Sequence, residues 1–486
     1  MRYIAEEKAI IVYWDLPEGF VPGEKYTLEV NGKRVETEKC HMKIDGIEPD
    51  TEYPVKWTYK TSTEEMTAKT LPVRERINVL DFGAIGDGKT LNTEALQKAI
   101  DACDKGVVYL PAGDFLTGSL RLHSDMELYL EKGAVIHGTT EVKDYMPKIK
   151  SRFEGKEMMC YSGLINIGEL DRDSITCRNV RICGEGKVYG GGWDLATNVI
   201  EIEKERLKEY LESLGDKIKD FDQLETEPAR ARPRLINISS AENVVINGIS
   251  VENGPCWNIH MIYSNNIETC GITIRSQGVW NGDGWDPDSS TNCTLFGCEF
   301  HTGDDAVAIK SGKNPEGNVV NRPTEHIRVF DCVSNYGHGI TIGSEMSGGV
   351  SDVRIWNCDM GTSVYGVEIK ATKKRGGYVR DVHVSNTKAC RLLLHSVGYN
   401  DDGEGAPTVP VFENCTFENI ELTARRHMQD NQEFDCEAIE VSGFEGSPTK
   451  NIKFKNITID NGVEGHKHTI FVSRCQGITF ENVVCK

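Results

Sequence analysis

What the chain lacks narrows its class before any motif is read. No segment of the 486 residues is apolar over the roughly 20 positions that a membrane-spanning helix needs. The start, Met1 to Phe20, carries one short apolar run, Ala9 to Trp14, with acidic residues ahead of it in place of a basic region. That is not a secretory signal pattern, so the expectation is a cytoplasmic protein. The 16 cysteines include no CxxC pair, and many (Cys183, Cys270, Cys298, Cys332, Cys358, Cys415) sit inside apolar, strand-like runs. They read as buried reduced thiols rather than as a disulfide framework or a zinc site. Positive charge is short: 55 Lys and Arg stand against 75 Asp and Glu, a net charge of −20. This argues against nucleic acid or an anionic membrane as partner, and an acidic polymer would need a locally basic site. With 38% hydrophobic and 27% charged residues the chain is globular.

At this length a single fold must be a solenoid or a barrel. Residues 1–73 read as a small β-sandwich. Alternating runs such as Tyr26–Val30 and Val55–Tyr59 are separated by Asn31-Gly32 and Pro49-Asp50 turns. The stretch Ile44-Asp45-Gly46-Ile47-Glu48-Pro49-Asp50-Thr51-Glu52-Tyr53 resembles the strand-and-turn signature of fibronectin type III domains. This domain is expected to act as a spacer or as a wall for the active site. Leu71 to Arg76 reads as a linker. After Val79 to Thr90 comes a helix from Asn92 to Cys103, with Asn92, Thr93 and Glu94 placed to cap it.

From residue 77 to 486 a repeat dominates. An Asn, Asp or His is followed by alternating apolar residues: Asn179, Asn243, Asn266, Asn292, His326, Asp352, Asp381 and Asn451 each open such a run. The starts lie roughly 25–30 residues apart, a solenoid period. Period-2 alternation excludes helical repeats, and leucine at fixed offsets is absent. The fold class expected is all-β: a right-handed parallel β-helix preceded by the sandwich. A Lys/Glu-rich interruption at about 199–222 is expected to be a surface helix whose charged face is simply solvated, placed also to narrow one end of a groove.

Two stretches carry the chemistry: Trp280-Asn281-Gly282-Asp283-Gly284-Trp285-Asp286-Pro287-Asp288 and His301-Thr302-Gly303-Asp304-Asp305-Ala306-Val307-Ala308-Ile309-Lys310. Carboxylates among glycines suit acid/base work on a sugar bond, because glycine lets the backbone turn sharply and a ligand come close. Later repeats add His338, in Gly337-His338-Gly339, and Lys370, in Glu368-Ile369-Lys370. Equivalent positions stack in a β-helix, so three acids, a histidine and a lysine can form one column on one face.

Asn281-x-Asp283, Gly303-Asp304-Asp305, Gly337-His338-Gly339 and x-Ile369-Lys370 match, in order, the four motifs of glycoside hydrolase family 28, the polygalacturonases. The resemblance runs from about residue 77 to the end. Arg152-Phe153-Glu154-Gly155, the segment 343–349 and Lys374 to Tyr378 resemble the bacterial exo-acting branch. The entry segment at 79–103 resembles that of pectin-degrading β-helices. The resemblance implies an inverting hydrolase that removes α-linked galacturonate from the non-reducing end of pectic oligosaccharides, without metal or cofactor. It implies Asp304 as general acid, Asp283 and Asp305 as the residues that hold and deprotonate the water, and His338 as the group that tunes the acid. Lys370 would pair with a uronate carboxylate. Asn281, Lys310, Arg375, Arg152, Arg232 and Tyr399 complete the expected substrate contacts. One position departs from the family: its fourth motif is Arg-x-Lys, and the Arg position here is Glu368. A carboxylate there would repel a second uronate unless Lys373, Lys374 or Arg375 swings in, which points to a neutral leaving-side sugar such as rhamnose. The rival readings are a β-helix pectate lyase and a non-catalytic carbohydrate-binding β-helix.

Overall fold

The computed structural model describes residues 1–221, 223–427, 433–460 and 469–486. Two antiparallel sheets form the N-terminal domain. Strands Arg2–Ala5, Ala9–Tyr13 and His41–Asp45 make one; Lys33–Thr37, Tyr26–Val30, Glu52–Tyr59 and Ser62–Lys69 make the other. Alternation does what it should. In Glu52–Tyr59 the residues Tyr53, Val55, Trp57 and Tyr59 are buried and their neighbours face water. The sandwich also matches the expected turns at 31–32 and 49–50, while the fibronectin resemblance remains a sequence expectation for residues 44–53.

From Arg76–Asn78 onward the chain coils as a right-handed parallel β-helix. Its strands gather into a 21-stranded sheet, folded into two ladders that the long strand Tyr378–Ala389 bridges, and an 11-stranded sheet. Inward positions stack coil on coil: Val180 pairs with Val244, Val244 with Ile267, and Ile267 with Cys293. All are fully or nearly fully buried, so each coil covers its neighbour's apolar face. The repeat-opening residues share one backbone conformation: Asn179, Asn243, Asn266, Asn292, His326, Asp352, Asp381 and Asn451 all have φ between 49° and 59°. Asn and Asp tolerate this left-handed bend better than other side chains, which is why they punctuate the repeat. Their amides also chain together: Asn266 donates to Asn243 (2.8 Å), and Asn243 to Asn179 (3.0 Å).

The two domains share a core. Phe296, Phe330 and Trp356 project from successive coils and stack at ring-centroid distances of 5.0 and 4.4 Å. Tyr13 stacks on Phe296 at 4.8 Å. Asp331 accepts hydrogen bonds from the Cys40 amide and from His41 Nδ1, both at 2.7 Å. All 16 cysteines are free thiols, and all but Cys475 and Cys485 are buried.

Two local expectations need correction. The early helix is Thr93–Ala102, but the Asn92 side chain does not cap it. Asn92 is buried and its amide instead spans the preceding loop, accepting from Ile85 N and donating to Ile85 O and Thr90 O. The interruption is longer than 199–222: helices Gly192–Arg206, Lys208–Leu214 and Thr226–Ala229 compose it, and residue 222 lies outside the described residues. Of the three consecutive glycines at 190–192, the last opens the first helix. That helix buries Leu195, Ala196, Val199, Ile200 and Glu203, whereas the second helix buries no residue fully, as a solvated charged face requires.

Candidate active site

The 11-stranded sheet sets the column. Strands Trp285–Asp288, Val307–Ile309, Gly339–Ile342 and Gly366–Ala371 are consecutive rungs, with Trp285 paired to Val307, Val307 to Ile340 and Ile340 to Val367. The loops entering these strands stack in step: Gly284 N donates to Asp305 O (2.9 Å), His338 N to Asp304 O (2.9 Å) and Tyr365 N to His338 O (3.0 Å). Glycine is required at this turn. A Cβ on Gly303 would lie 2.4 Å from the Val279 carbonyl oxygen. Gly337 has φ +114°, and a Cβ there would meet Thr302 Oγ1 at 2.3 Å.

The structure brings Asn281, Asp283, Asp304, Asp305, Lys310, His338, Lys370 and Tyr399 to the lining of one pocket of about 240 Å³. Clefts of about 660 and 750 Å³ lie where the domains meet, and the acid column is in neither. His338 Nδ1 is 2.7 Å from Asp304 Oδ1 and 3.4 Å from Asp305 Oδ1. Asp305 also accepts from Thr341 Oγ1 at 2.8 Å and has Lys370 Nζ at 3.6 Å. Burial alone would raise the Asp305 carboxyl, but Lys370, His338 and Thr341 together hold it well below the usual range. His338 moves the opposite way: burial disfavours its charge, and the two aspartates overcome that and raise it. Asp283 behaves differently. Burial pushes its carboxyl well up, and Asp286, Asp304 and Asp305 add to the push against the pull of Lys310. Lys310 Nζ donates to Asp283 (2.9 Å) and Asp286 (3.2 Å) and lies 3.5 Å from the centre of the Trp257 ring. One carboxylate oxygen of each of these aspartates is buried without a hydrogen bond.

Asp304, Asp305 and His338 present one donor atom each within 4.8 Å of one another, a spacing that could hold a cation. The Lys370 ammonium and the Thr341 hydroxyl already supply the positive charge and hydrogen bond that a cation would give Asp305.

Four expected substrate contacts are corrected. Arg152 is wholly buried; it donates to Asp288 (2.6 Å), Ser289 (2.9 Å) and the Tyr263 hydroxyl. Arg232 donates to the Pro255 and Trp280 carbonyls and to Asn281 Oδ1 at 2.6 Å, so it shapes the pocket through Asn281 rather than reaching a ligand. Arg375 spends its guanidinium on Ser344 O, Asn314 Oδ1 and Asn400 O. Glu368 is 2% exposed, and its two oxygens face His395 (2.7 Å) and Lys370 (3.1 Å). The physical reason is shared: a buried charge must be paired or fully hydrogen-bonded, and each of these finds its ion-pair or hydrogen-bond partners inside the protein. Lys374 and Lys373 do not swing in. Lys374 donates to Asp401 O, and exposed Lys373 sits 3.8 Å from Glu445.

The structure adds Glu154, Trp257, Trp280, Ser344, Glu345, Tyr365 and Asn400 to the lining. Glu154, Ser344, Glu345 and Asn400 belong to a wall built from several coils. Arg230 holds Glu154 (2.7 Å), Asn400 (3.3 Å) and Asp402 (3.1 Å), and Lys313 holds Asn400 and Asp402. Lys156 adds a bond to Asp402 at 2.6 Å. Glu227, from the last helix of the insertion, pairs with Arg230, so the insertion braces this wall. The sequence signal was present in Glu154-Gly155 and in the 343–349 segment, but the ties between coils were not readable.

A family model for glycosyl hydrolases family 28 matches residues 208–485, and one described as rhamnogalacturonase A/epimerase, pectate lyase-like, matches residues 76–140. A probable polygalacturonase of Vitis vinifera is 31% identical over 430 residues, covering 83% of this chain and 78% of its own. An exo-poly-alpha-D-galacturonosidase of Dickeya chrysanthemi is 28% identical, covering 74% of this chain but only 63% of its own length. Among solved structures, an exopolygalacturonase from Thermotoga maritima superposes with a TM-score of 0.70 at 28% identity, over 85% of this chain and 91% of that one. A family 28 exopolygalacturonase from Yersinia enterocolitica shares the fold with a TM-score of 0.80 at 24% identity, over 99% and 96%. The matched family model, the extent of the plant relative and the ordered column of Asp283, Asp304, Asp305 and His338 agree: this chain belongs to glycosyl hydrolase family 28 and is a glycosidase.

Proposed function

We propose that the protein is an inverting α-galacturonosidase that removes single galacturonate residues from the non-reducing ends of pectic oligosaccharides. The observation that carries this reading is that the acid column shares a pocket of about 240 Å³ with Glu154, Ser344, Glu345 and Asn400, in a wall that Arg230 and Lys313 brace. A pocket of that size with a braced wall suits a chain end better than a chain interior. The names of the Dickeya, Thermotoga and Yersinia relatives support the same direction.

In this reading Asp304 protonates the glycosidic oxygen, and His338, whose Nδ1 lies 2.7 Å from Asp304 Oδ1, tunes it. Asp305, held ionised by Lys370 and His338, deprotonates the attacking water, and Asp283, held by Lys310, helps to orient it. Many buried free thiols support a reducing, cytoplasmic site of action on imported oligosaccharides.

The expectation of a neutral leaving-side sugar loses its electrostatic premise. A bare carboxylate at 368 would repel a uronate by about 4 kcal/mol at an effective dielectric near 20. Glu368 is not bare, since Lys370 and His395 flank it. Digalacturonate and a galacturonate–rhamnose linkage are therefore expected to be cleaved with kcat/KM values within about tenfold of each other, a difference under about 1.4 kcal/mol. The mode of attack is tested on end-labelled hexagalacturonate. Monosaccharide from the earliest time points is expected, and an early ladder of mid-chain products would rule the exo reading out.

A further inference from the structure

Glu368 stands where the family pattern has an arginine, and the structure shows what accompanies the change. His395 lies on the next coil, in strand Leu392–Ser396, where it pairs in register with Lys370. Its Nε2 is 2.7 Å from Glu368 Oε1, while Lys370 Nζ is 3.1 Å from Glu368 Oε2 and 3.6 Å from Asp305. On its other side His395 Nδ1 is 3.6 Å from Glu440, in strand Ile439–Ser442, and Arg391 at 3.6 Å neutralises Glu440 in turn. The charged groups facing His395 are thus Glu368 and Lys370 from the preceding coil, Glu440 from the following one and, through Glu440, Arg391.

We propose that His395 is a specificity-determining residue: as an imidazolium it cancels the charge of Glu368, leaving Lys370 to balance Asp305, so that the adjoining subsite accepts a second uronate. The inference rests on the galacturonosidase reading. With His395 charged, Asp305, Glu368, Lys370 and His395 sum to zero. With it neutral, the cluster carries a net negative charge beneath the subsite that must take a uronate. Burial works against the imidazolium, but its contacts with Glu368 and Glu440 outweigh that and lift it to about 9. The compensation is therefore complete at neutral pH and is lost as pH rises through about 9.

His395→Gln keeps a hydrogen-bond donor for Glu368 and removes only the charge. On digalacturonate its kcat/KM should fall about tenfold or more, chiefly through KM. On an aryl α-galacturonide, whose leaving group is neutral, it should stay within about threefold of wild type. Adding Glu368→Gln removes the uncompensated charge and should restore digalacturonate cleavage to within about threefold. In the wild type the digalacturonate-to-aryl ratio should fall by a similar factor between pH 7 and 10, and in the double variant it should not, so the inference stays testable even if the single variant fails to fold. Equal losses on both substrates, no recovery in the double variant, or a pH-independent wild-type ratio would each overturn the proposal. A wild type that cleaves neither substrate would overturn the galacturonosidase reading itself, and this inference with it.

Discussion

Two lysines in this pocket are each shared by two carboxylates, yet the carboxylates behave oppositely. Lys310 sits between Asp283 and Asp286, and both of those carboxyls are pushed up, Asp286 to about 7, with burial the main cause. Lys370 sits between Asp305 and Glu368, and both of those are held down despite equal burial. The difference is the imidazoles. His338 supports Asp305 and His395 supports Glu368, so the second cluster has two positive charges beyond what Lys310 alone gives the first. One ammonium cannot keep two buried carboxylates ionised; an ammonium with two imidazoliums can. The pocket thereby holds a half that retains a proton and a half that stays ionised.

The largest expected effect falls on the residue between the two halves. Asp304→Asn keeps the shape and removes the proposed proton donor, so kcat should fall by about 10³-fold or more with KM within about threefold. Steady-state kinetics on digalacturonate would show this, and near wild-type turnover would remove Asp304 from its role.

The next test sets the lysines against each other. Lys310→Met strands two buried carboxylates with no cation and should cost about 3–5 kcal/mol of stability. Lys370→Met leaves His338 and His395 in place and should cost clearly less while still impairing hydrolysis. Urea denaturation of both variants decides it: equal losses would break the comparison.

A smaller effect sharpens it. The Asp286 carboxyl is raised from an ordinary value near 3.9 to about 7. Its contribution to stability is therefore full below about pH 4 and lost as pH rises through 7. Asp286→Asn should remove that loss, stabilising the protein at pH 8 relative to pH 4 by about 2–4 kcal/mol compared with wild type. It also leaves Lys310 to Asp283 alone, so the acid limb of the kcat/KM profile should move to lower pH. Thermal melts and rate profiles across pH 4–8 check both signs.

The smallest effect lies outside the pocket, where one carboxylate meets one imidazole without a lysine. Asp331→Asn weakens its contacts with Cys40 N and His41 at the domain junction. A loss of about 1–2 kcal/mol is expected, with kcat/KM unchanged within about twofold, as measured by denaturation and by the same kinetic assay.

The repeating parts of the molecule were legible in the sequence. Asn179, Asn243 and Asn266 announce the coils because a left-handed bend recurs there, and glycines beside Asp304 and His338 announce the turn because nothing larger fits. What repeats at fixed spacing can be stacked without coordinates, which is why Asp283, Asp304, Asp305, His338 and Lys370 fell into one column. What depends on contacts between distant segments could not be read. Arg152 and Asp288 lie 136 positions apart, and Arg230 and Asp402 lie 172 apart. Arginines that look like uronate grips by motif are consumed by such internal pairs. Likewise Glu368 looked like a bare carboxylate because His395, one coil away, is in no motif.

The proposed activity is hydrolysis of a terminal α-galacturonide with inversion. Time-resolved proton NMR of trigalacturonate hydrolysis by the wild-type enzyme tests it most directly. Free galacturonic acid is expected as the first monosaccharide, appearing as the β-anomer before it equilibrates. A first product in the α-configuration, or an unsaturated uronate, would contradict it.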